Sequence, residues 1–326
     1  MKYRYLLLIA ALLLSPLRFS ATENAGNSSA RVQSLKITIL STMLADGKEL
    51  GEWGFSALVE ADGNRILFDT GAHPDVVLKN AKTLGVDLAN VPEVILSHSH
   101  WDHIGGLLTL RKSVSERSPA ALATAHVAEG FFYSRSDGRP GVDRESALAL
   151  KPEYERAGGT FVIHAQPVRL HPGVWLLGPI PRHYPERNWG GSGKVITPSG
   201  TVEDNVPEDT ALVFDTDRGL VVLTGCGHAG VINTLEYAQK TVRPARIHAL
   251  IGGLHLYAAS DETLKWTAEK LRAFEVENLL GTHCTGIEAL FRLRHDLGLE
   301  RKHASVGAVG AGFELGHGID PRAIAR

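Results

Sequence analysis

The feature that most constrains this chain is a run of metal-ligand side chains that directly follows an apolar segment. Glu93–Leu96 has the composition of a short buried strand, and it leads into His98-Ser-His-Trp-Asp-His103. In an extended or tightly turned segment His98 and His100 point the same way, because alternate residues share a face. Asp102 and His103 can then serve a second ion nearby. Imidazole and carboxylate are good ligands for zinc, and also for iron or manganese. The pattern therefore predicts a two-ion metal centre at the end of this strand.

Reactive side chains recur at the ends of other predicted strands. A hairpin formed by Ser56–Glu60 and Arg65–Phe68 ends at Asp69, and a second hairpin, Thr210–Phe214 with Leu220–Leu223, ends in Gly225-Cys-Gly-His228. Two further predicted strands, Ala249–Ile251 and Asn278–Leu280, lead to His255 and to His283-Cys284. Two sheets packed face to face, with helices outside, would bring these strand ends to one edge.

The segments between these strands are predicted from periodicity and composition. Apolar residues at helical spacing predict helices over Pro74–Leu84, Val231–Val242 and Glu262–Phe274, and Gly105-Gly106 suggests a helix that begins beyond the histidines. Tyr184–Val206 is rich in glycine, proline and polar residues, which predicts one long loop.

His98-x-His-x-Asp-His103 resembles the signature motif of the metallo-β-lactamase superfamily. Leu67-Phe-Asp69-Thr-Gly and Leu223-Thr-Gly-Cys226 resemble two more landmarks of that family. The resemblance implies an α/β fold: a four-layer αβ/βα sandwich of two mixed β-sheets, with the metals at one sheet edge. Further segments resemble a subgroup named after 7,8-dihydropterin-6-ylmethyl-4-(β-D-ribofuranosyl)aminobenzene 5′-phosphate synthase. These segments are Glu52–Ser56, Asn80–Gly85, Gly178–Arg182, Gly225–His228, Gly253–His255 and His283–Gly286.

The resemblance also implies the remaining ligands. His283 occupies the last ligand position of the superfamily and is expected to bind the second metal with Asp102 and His103. Cys226 falls where the family usually has a bridging aspartate, and a thiolate can ligate zinc there. His228, two residues further on, is the competing ligand and could join His98 and His100. The usual middle histidine is not obvious, and His183 and His126 are its only rough candidates.

Four other residues receive expected roles near the centre. His255 resembles a histidine of ribonuclease Z-like relatives, and it could act as general acid, as an outer ligand or as a hydrogen-bonded support. Asp69 is expected to brace the ligand loop. Arg182 lies in a predicted loop and could pair with a substrate phosphate or carboxylate, and Trp53 could line the mouth of the pocket.

The first 30 residues differ from the rest of the chain. Lys2 and Arg4 precede an apolar run, Leu6–Leu14, and small and polar residues follow to position 30, which is typical of a secretory signal peptide. The run is short for a membrane span, so an uncleaved anchor is the alternative. Residues 1–30 are therefore interpreted as leader and 31–326 as the catalytic domain, in an exported, periplasmic or secreted protein. The cleavage site is open, because residues 21, 25 and 30 all offer an alanine.

Charge and cysteine content narrow the partners. Cleavage after position 21 would leave 31 basic and 36 acidic residues, a net charge of −5. This balance argues against a nucleic-acid partner, and neither stable membrane association nor a particular oligomeric state is expected.

The two cysteines, Cys226 and Cys284, each adjoin histidine-bearing segments. Their placement suggests chemistry at the site, and a disulfide between them is the alternative.

These observations predict a hydrolase with two divalent metal ions, zinc first and iron or manganese as alternatives. Such a centre uses hydroxide generated at the metals to attack an ester, lactone or phosphoester of a small-molecule substrate. A pterin-related synthase or a redox enzyme on the same fold is the first alternative, although an export signal does not fit an intracellular pterin role. A non-catalytic periplasmic metal- or ligand-binding protein is the second alternative.

Overall fold

The computed structural model describes residues 31–136, 146–188 and 193–325, so the predicted leader lies outside the described residues. In chain order the strands are β1 (Leu35–Ser41), β2 (Ser56–Ala61), β3 (Asn64–Phe68), β4 (Glu93–Ile95), β5 (Thr124–Ala128), β6 (Arg135–Ser136), β7 (Thr160–His164), β8 (Val168–His171), β9 (Val174–Leu177), β10 (Lys194–Thr197), β11 (Gly200–Glu203), β12 (Ala211–Thr216), β13 (Gly219–Thr224), β14 (Ile247–Gly252), β15 (Asn278–Gly281), β16 (Ala304–Val306), β17 (Gly312–Glu314) and β18 (Gly318–Asp320). The α-helices are α1 (Val76–Thr83), α2 (Trp101–Ile104), α3 (Leu107–Ser115), α4 (Ser146–Arg156), α5 (Val231–Thr241), α6 (Asp261–Ala273) and α7 (Ile287–Leu297).

Two large mixed sheets form the centre of the described chain. Sheet I has the order β18-β17-β1-β2-β3-β4-β5-β7, and sheet II has the order β16-β15-β14-β13-β12-β9-β8. A small third sheet has the order β11-β10-β6. Both predicted hairpins are confirmed, because β2 pairs antiparallel with β3 and β12 pairs antiparallel with β13.

The buried apolar residues form three layers that define a four-layer sandwich. Between the sheets, alternate residues of β1 such as Ile37 and Ile39 pack with Phe214 and Leu280 of sheet II. On the outer face of sheet I, the core includes α1, α3 and α4, and on the outer face of sheet II it includes α5, α6 and α7. The predicted αβ/βα sandwich is therefore confirmed. Across the three described ranges, no helix is long and apolar enough to cross a bilayer.

The predicted long loop over Tyr184–Val206 is wrong in its second half. Lys194–Thr197 and Gly200–Glu203 form the antiparallel pair β10 and β11. Val195 is fully buried whereas the neighbouring Ile196 is half exposed, which is the alternation of a strand with one packed face. The prediction missed this hairpin because glycine and proline dominate the composition around it.

The helix expected beyond the histidines is confirmed as α3, and a short additional helix, α2, precedes it inside the motif. His100 is the residue that precedes α2, so Asp102 and His103 project from the first turn of a helix. The two following glycines have helical φ values, and their role is close approach: a Cβ on Gly105 would lie 1.9 Å from the carbonyl oxygen of Ala72. This packing places α2 directly against the loop that follows β3.

Candidate metal centre

Strand topology carries the reactive side chains to a common edge. The strands β3 and β4 run parallel, as do β13, β14 and β15, so the loops that follow them meet at the same end of each sheet. These loops hold the predicted site residues Asp69, His98–His103, Cys226–His228, His255 and His283.

His98, His100 and His228 form the first group of donors. Their ligand atoms all lie within 4.8 Å of one another. His98 Nε2 and His100 Nδ1 are 3.0 Å apart, and the ring of His228 lies 4.6 Å from that of His98 and 4.9 Å from that of His100. Ligands at 2.0–2.1 Å from a tetrahedral zinc are separated by roughly 3.3 Å, so this spacing suits one metal ion.

Asp102, His103 and His283 form the second group, again within 4.8 Å. His283 Nε2 lies 3.3 Å from Asp102 Oδ2, and His103 Nε2 lies 3.9 Å from the same oxygen. All three residues are buried. The structure thus brings His283 to the residues with which it was predicted to act, across more than 170 positions of sequence.

Cys226 lies between the two groups. Its Sγ is 3.1 Å from His103 Nε2, and it is within 4.8 Å of the donors of His98 and His103 and also of those of His228 and His255. Cys284 Sγ is 3.3 Å away, and both cysteines are buried free thiols. The structure therefore places Cys226 and His228 together at the site, and the sequence had left open which of them is the ligand.

A buried network fixes which nitrogen each imidazole presents. His103 Nδ1 donates to Asp69 Oδ2 at 2.7 Å, and Ser97 Oγ donates to the same oxygen at 2.7 Å. Because the Ser97 hydroxyl proton is used there, the 2.9 Å contact with His98 is a bond from His98 Nδ1–H. His228 Nδ1 donates to the backbone oxygen of Asn188 at 2.6 Å. The bracing role predicted for Asp69 is confirmed. His98 and His228 each keep a lone pair on Nε2, and Nε2 of His103 faces Cys226.

Several polar atoms of the site are buried without a hydrogen-bond partner among the described residues. They are His228 Nε2, both ring nitrogens of His283, and His255 Nδ1. Buried polar atoms normally find partners, and these four belong to histidines in the donor groups. The donor set and its unpartnered nitrogens therefore fit divalent metal ions.

Electrostatics separate the imidazoles into two kinds. Burial lowers the pKa of His98 and of His228 well below the usual value, and burial also lowers the pKa of His100 to about 4. Burial acts in the same direction on His103, but the carboxylates of Asp69 and Asp102 outweigh it and raise the pKa to about 9. Three of the donors are thus neutral at pH 7 and ready to bind a cation.

Asp102 stays anionic despite its surroundings. Burial acts to raise its pKa, but the charge of His103 and the contact with His283 lower the pKa below its ordinary value.

Backbone geometry adds a further sign of function, because Asp69, His255 and His283 all have positive φ, at 58°, 49° and 46°. Non-glycine residues in this conformation cluster at sites where the surrounding structure holds them in place.

The residues predicted at the mouth of the site take different positions. The ring of Trp53 is 5.1 Å from that of His283, and the side chain is 40% exposed. His255 lies 4.5 Å from His228, ring to ring. Arg182, in contrast, donates to the backbone oxygen of Val206 at 3.1 Å and also to that of Asn205. Its guanidinium therefore holds a loop in the described structure, and its contact with substrate stays a prediction.

The two rough candidates for a middle histidine lie in other environments. His126 Nδ1 is 3.0 Å from His164 Nε2, and His183 Nδ1 is 2.6 Å from Glu236 Oε2 near the surface. Neither belongs to the donor groups found among the described residues. His228 takes the third position of the first group instead.

Sequence reasoning missed two buried acids that support the site. Glu208 accepts hydrogen bonds from the backbone nitrogen and the hydroxyl of Ser99, and it pairs with Arg135. Asp209 Oδ2 accepts the backbone N–H of Ala229 at 2.7 Å, directly after His228. Both acids come just before β12, which runs antiparallel to β13. The start of β12 therefore lies at the same edge as the end of β13, and this topology was the available signal.

The fold and the donor groups define a class: an αβ/βα sandwich whose sheet edge holds clustered histidines, a carboxylate and a thiol suited to divalent metals. The sequence model of the metallo-β-lactamase superfamily matches residues 54–242. The chain belongs to the metallo-β-lactamase superfamily, as its motifs predicted.

Three relatives illustrate the range of this likeness. The 7,8-dihydropterin-6-methyl-4-(β-D-ribofuranosyl)-aminobenzene-5′-phosphate synthase of Methanocaldococcus jannaschii is 30% identical over 84% of this chain and 96% of that protein. The crystal structure of Tm1679, a metal-dependent hydrolase of the β-lactamase superfamily, is 28% identical with a TM-score of 0.68, over 85% of this chain and 98% of that one. The metallo-β-lactamase fold protein YhfI from Bacillus subtilis is 16% identical with a TM-score of 0.53, over 86% of this chain and 99% of that one, and shares the fold.

Proposed function

We propose that this protein is a metal-dependent hydrolase that cleaves an ester, lactone or phosphoester. One observation carries the proposal: two groups of three donors stand side by side, with every member except the half-buried His100 buried and with Cys226 between the groups. An arrangement of this kind suits two cations that act on one substrate. The likeness to a hydrolase that shares 28% of its residues supports the same reaction class.

The described residues suggest which side chains would hold each ion. His98, His100 and His228 would hold one, and Asp102, His103 and His283 would hold the other, with the Cys226 thiolate within reach of both. Mixed imidazole, thiolate and carboxylate donors favour zinc, with iron or manganese as alternatives. When bound, such ions lower the pKa of water toward about 7 and act as Lewis acids on a carbonyl or phosphoryl oxygen.

The chain's own groups supply orientation and proton transfer. Asp102 is anionic and lies beside His103 and His283, so its carboxylate can hold and orient a nucleophilic water by accepting a hydrogen bond. His255 borders the first donor group, and its Nδ1 is buried without a described partner. From this position His255 can donate a proton to the departing oxygen, which is the role of a general acid. Trp53, beside His283, helps to limit the access of solvent.

The test combines metal content with turnover on a small panel of lactones, thioesters, phosphodiesters and β-lactams. Chelation should abolish hydrolysis, and added zinc should restore it. The double variant Asp102→Ala, His103→Ala should lose activity, whereas His295→Ala, which changes an exposed histidine on α7, should not. Full activity in the double variant, or turnover that survives complete removal of metal, would contradict the proposal.

A second candidate is a pterin-related synthase. The 30% identity to the Methanocaldococcus jannaschii synthase, over nearly the full length of that protein, favours it. The discriminating assay incubates the metal-loaded protein with the diphosphate ester of a 6-hydroxymethyl-dihydropterin and with a ribofuranosylaminobenzene phosphate. Diphosphate leaves the methylene carbon as the new bond forms, and the coupled product is sought by mass spectrometry. Coupling without hydrolysis of any panel substrate would replace the first proposal. If the protein binds metal but neither assay detects a product, redox chemistry or non-catalytic metal binding would be the function to test next.

Export is proposed as the location of this activity. The basic, apolar and small-residue pattern of positions 1–30 supports it. The partner is then a small molecule of the periplasm or medium. Fractionation of cells that express the full chain, followed by N-terminal sequencing of the mature protein, tests the location and identifies the cleavage site. Full-length protein in the cytoplasm would refute it.

A further inference from the structure

A cavity of about 620 Å³ lies next to the candidate metal centre. One side is formed by Pro185–Asn188 and the other by the loop from His255 to Ser260 and the first turns of α6. Two residues of its wall also contact His228: Asn188 accepts the hydrogen bond from His228 Nδ1, and the ring of His255 lies 4.5 Å from that of His228. The cavity therefore shares two wall residues with the surroundings of the first donor group.

The wall of this cavity is largely apolar and aromatic. Leu256, Ala258 and Ala259 provide aliphatic surface, and Tyr257 and Trp266 provide aromatic rings. Tyr257 is 53% exposed although its ring makes edge contacts with Trp53 at 5.5 Å and with His255 at 5.4 Å. An aromatic series thus runs from the cavity, through Tyr257 and Trp53, to His283.

The charged groups of the wall do not favour an anionic occupant. Glu262 is an exposed carboxylate. Burial raises the pKa of Glu186 to about 7, and this side chain uses both oxygens to accept backbone N–H groups of Ile232 and Asn233. Arg187, the cationic residue among the described lining, pairs with Glu203 at 3.4 Å. Pockets of about 300–1,000 Å³ take organic ligands of substantial size, so a small acyl or phosphoryl group alone would leave most of this volume to water.

We propose that the cavity binds an uncharged aromatic ring of the substrate, with Tyr257 and Trp266 as the residues that determine this specificity. The preferred substrate is then an ester or phosphoester that carries an aryl group a few bonds from the scissile linkage. This inference rests on the proposed hydrolase function and narrows its substrate class. Edge and face contacts with the rings of Tyr257 and Trp266 would add favourable binding free energy to that gained from burying the ligand's apolar surface.

The test compares 3-phenylpropyl esters with propyl esters of the same acid, in a carboxylate series and in a phosphodiester series. The two leaving alcohols have similar acidity, so the ratio of their kcat/KM values reports the binding of the ring. The metal-loaded protein should prefer the aryl substrate by about tenfold or more. Tyr257→Ala and Trp266→Ala should each reduce that preference severalfold, while Tyr257→Phe, which keeps the ring, should retain it. Phe291→Ala, an exposed aromatic on α7, is the matched control and should leave the preference intact.

Failure of this inference can be separated from failure of the hydrolase proposal. A preference near one in the unaltered protein, or one that Tyr257→Ala and Trp266→Ala leave unchanged, would overturn the aryl site while hydrolysis stands. If no ester is cleaved, the affinities of 3-phenylpropylphosphonate and propylphosphonate are compared by tryptophan fluorescence. Tighter binding of the aryl compound that is lost in Tyr257→Ala would support the aryl site without a hydrolase, and equal binding would overturn it.

Discussion

Replacement of Asp69 by asparagine should weaken metal binding without removing any proposed ligand. Asp69 is fully buried, and its carboxylate accepts three hydrogen bonds: from the backbone N–H and the hydroxyl of Ser97 and from His103 Nδ1, each at 2.7 Å. The amide of asparagine offers only one acceptor oxygen and no charge. His103 therefore loses the partner that fixes its tautomer and raises its basicity, and Ser97, which orients His98, loses an acceptor.

The size of the effect follows from these contacts. Loss of a carboxylate that supports a metal-binding histidine typically weakens metal binding by about 10- to 100-fold, or about 1.4–2.8 kcal/mol. Zinc affinity is measured by competition with a chromogenic chelator at pH 9, where protonation of His103 interferes least. The metal-free variant should also be less stable by about 3 kcal/mol in denaturant unfolding, because a buried charged pair has lost one member.

The matched control is Asp217→Asn, which removes a carboxylate from an exposed turn where it pairs with Arg31. That variant should bind zinc as the unaltered protein does and should change stability by less than about 1 kcal/mol. Zinc affinity of Asp69→Asn within threefold of the control would refute the reasoning that this carboxylate governs the donor nitrogen of His103.

Three further outcomes are expected. Zinc affinity should rise about tenfold per pH unit up to about pH 9, because the metal must displace the proton of His103. Calorimetry in buffers of different ionisation enthalpy measures the released proton. Zinc binding at pH 7 that releases no proton would contradict this prediction. Gly105→Ala should destabilise the fold by about 3 kcal/mol through its clash with Ala72, whereas Gly63→Ala, at φ 84° with open space around it, should cost about 1 kcal/mol in thermal unfolding. Contacts with His126 and then His171 lower the pKa of Glu93 below its usual 4.5. Its contribution to stability is thus present above that value and lost as pH falls through the lowered one, so Glu93→Gln should lower stability by about 1 kcal/mol at pH 6 and not at pH 2.

The sequence was most informative where one local pattern decides the structure. Alternating and continuous apolar runs located the two hairpins and the strands that precede the reactive loops. The strand before His98 predicted where the ligands begin. That a helix starts at Trp101 depends instead on packing against the loop of Asp69 to Ala72, which is distant in sequence.

Residues whose role depends on distant partners could not be predicted in the same way. Glu208 and Asp209 look like ordinary polar residues before a strand, and their function follows from contacts with Ser99 and Ala229. His126 has the residue type of a ligand and lies in β5, yet its side chain pairs with His164. Residue type limits which side chains can be metal ligands, but the strand order determines which of them lie together at the site.

The loop Gly225–His228 shows how two nearby residues, Cys226 and His228, can both reach the metal centre. His228 lies two residues beyond Cys226, on a loop whose Gly227 has a φ of 64°, a left-handed conformation that suits glycine. This turn brings the His228 ring to within 5 Å of His98 and His100 while Cys226 stays beside His103. A bulkier residue at position 227 would disfavour that turn and separate the two donors. The short segment Gly225–His228 can therefore serve both donor groups at once. Its His228 is the third histidine of the first donor group, the place for which His183 and His126 were the rough candidates.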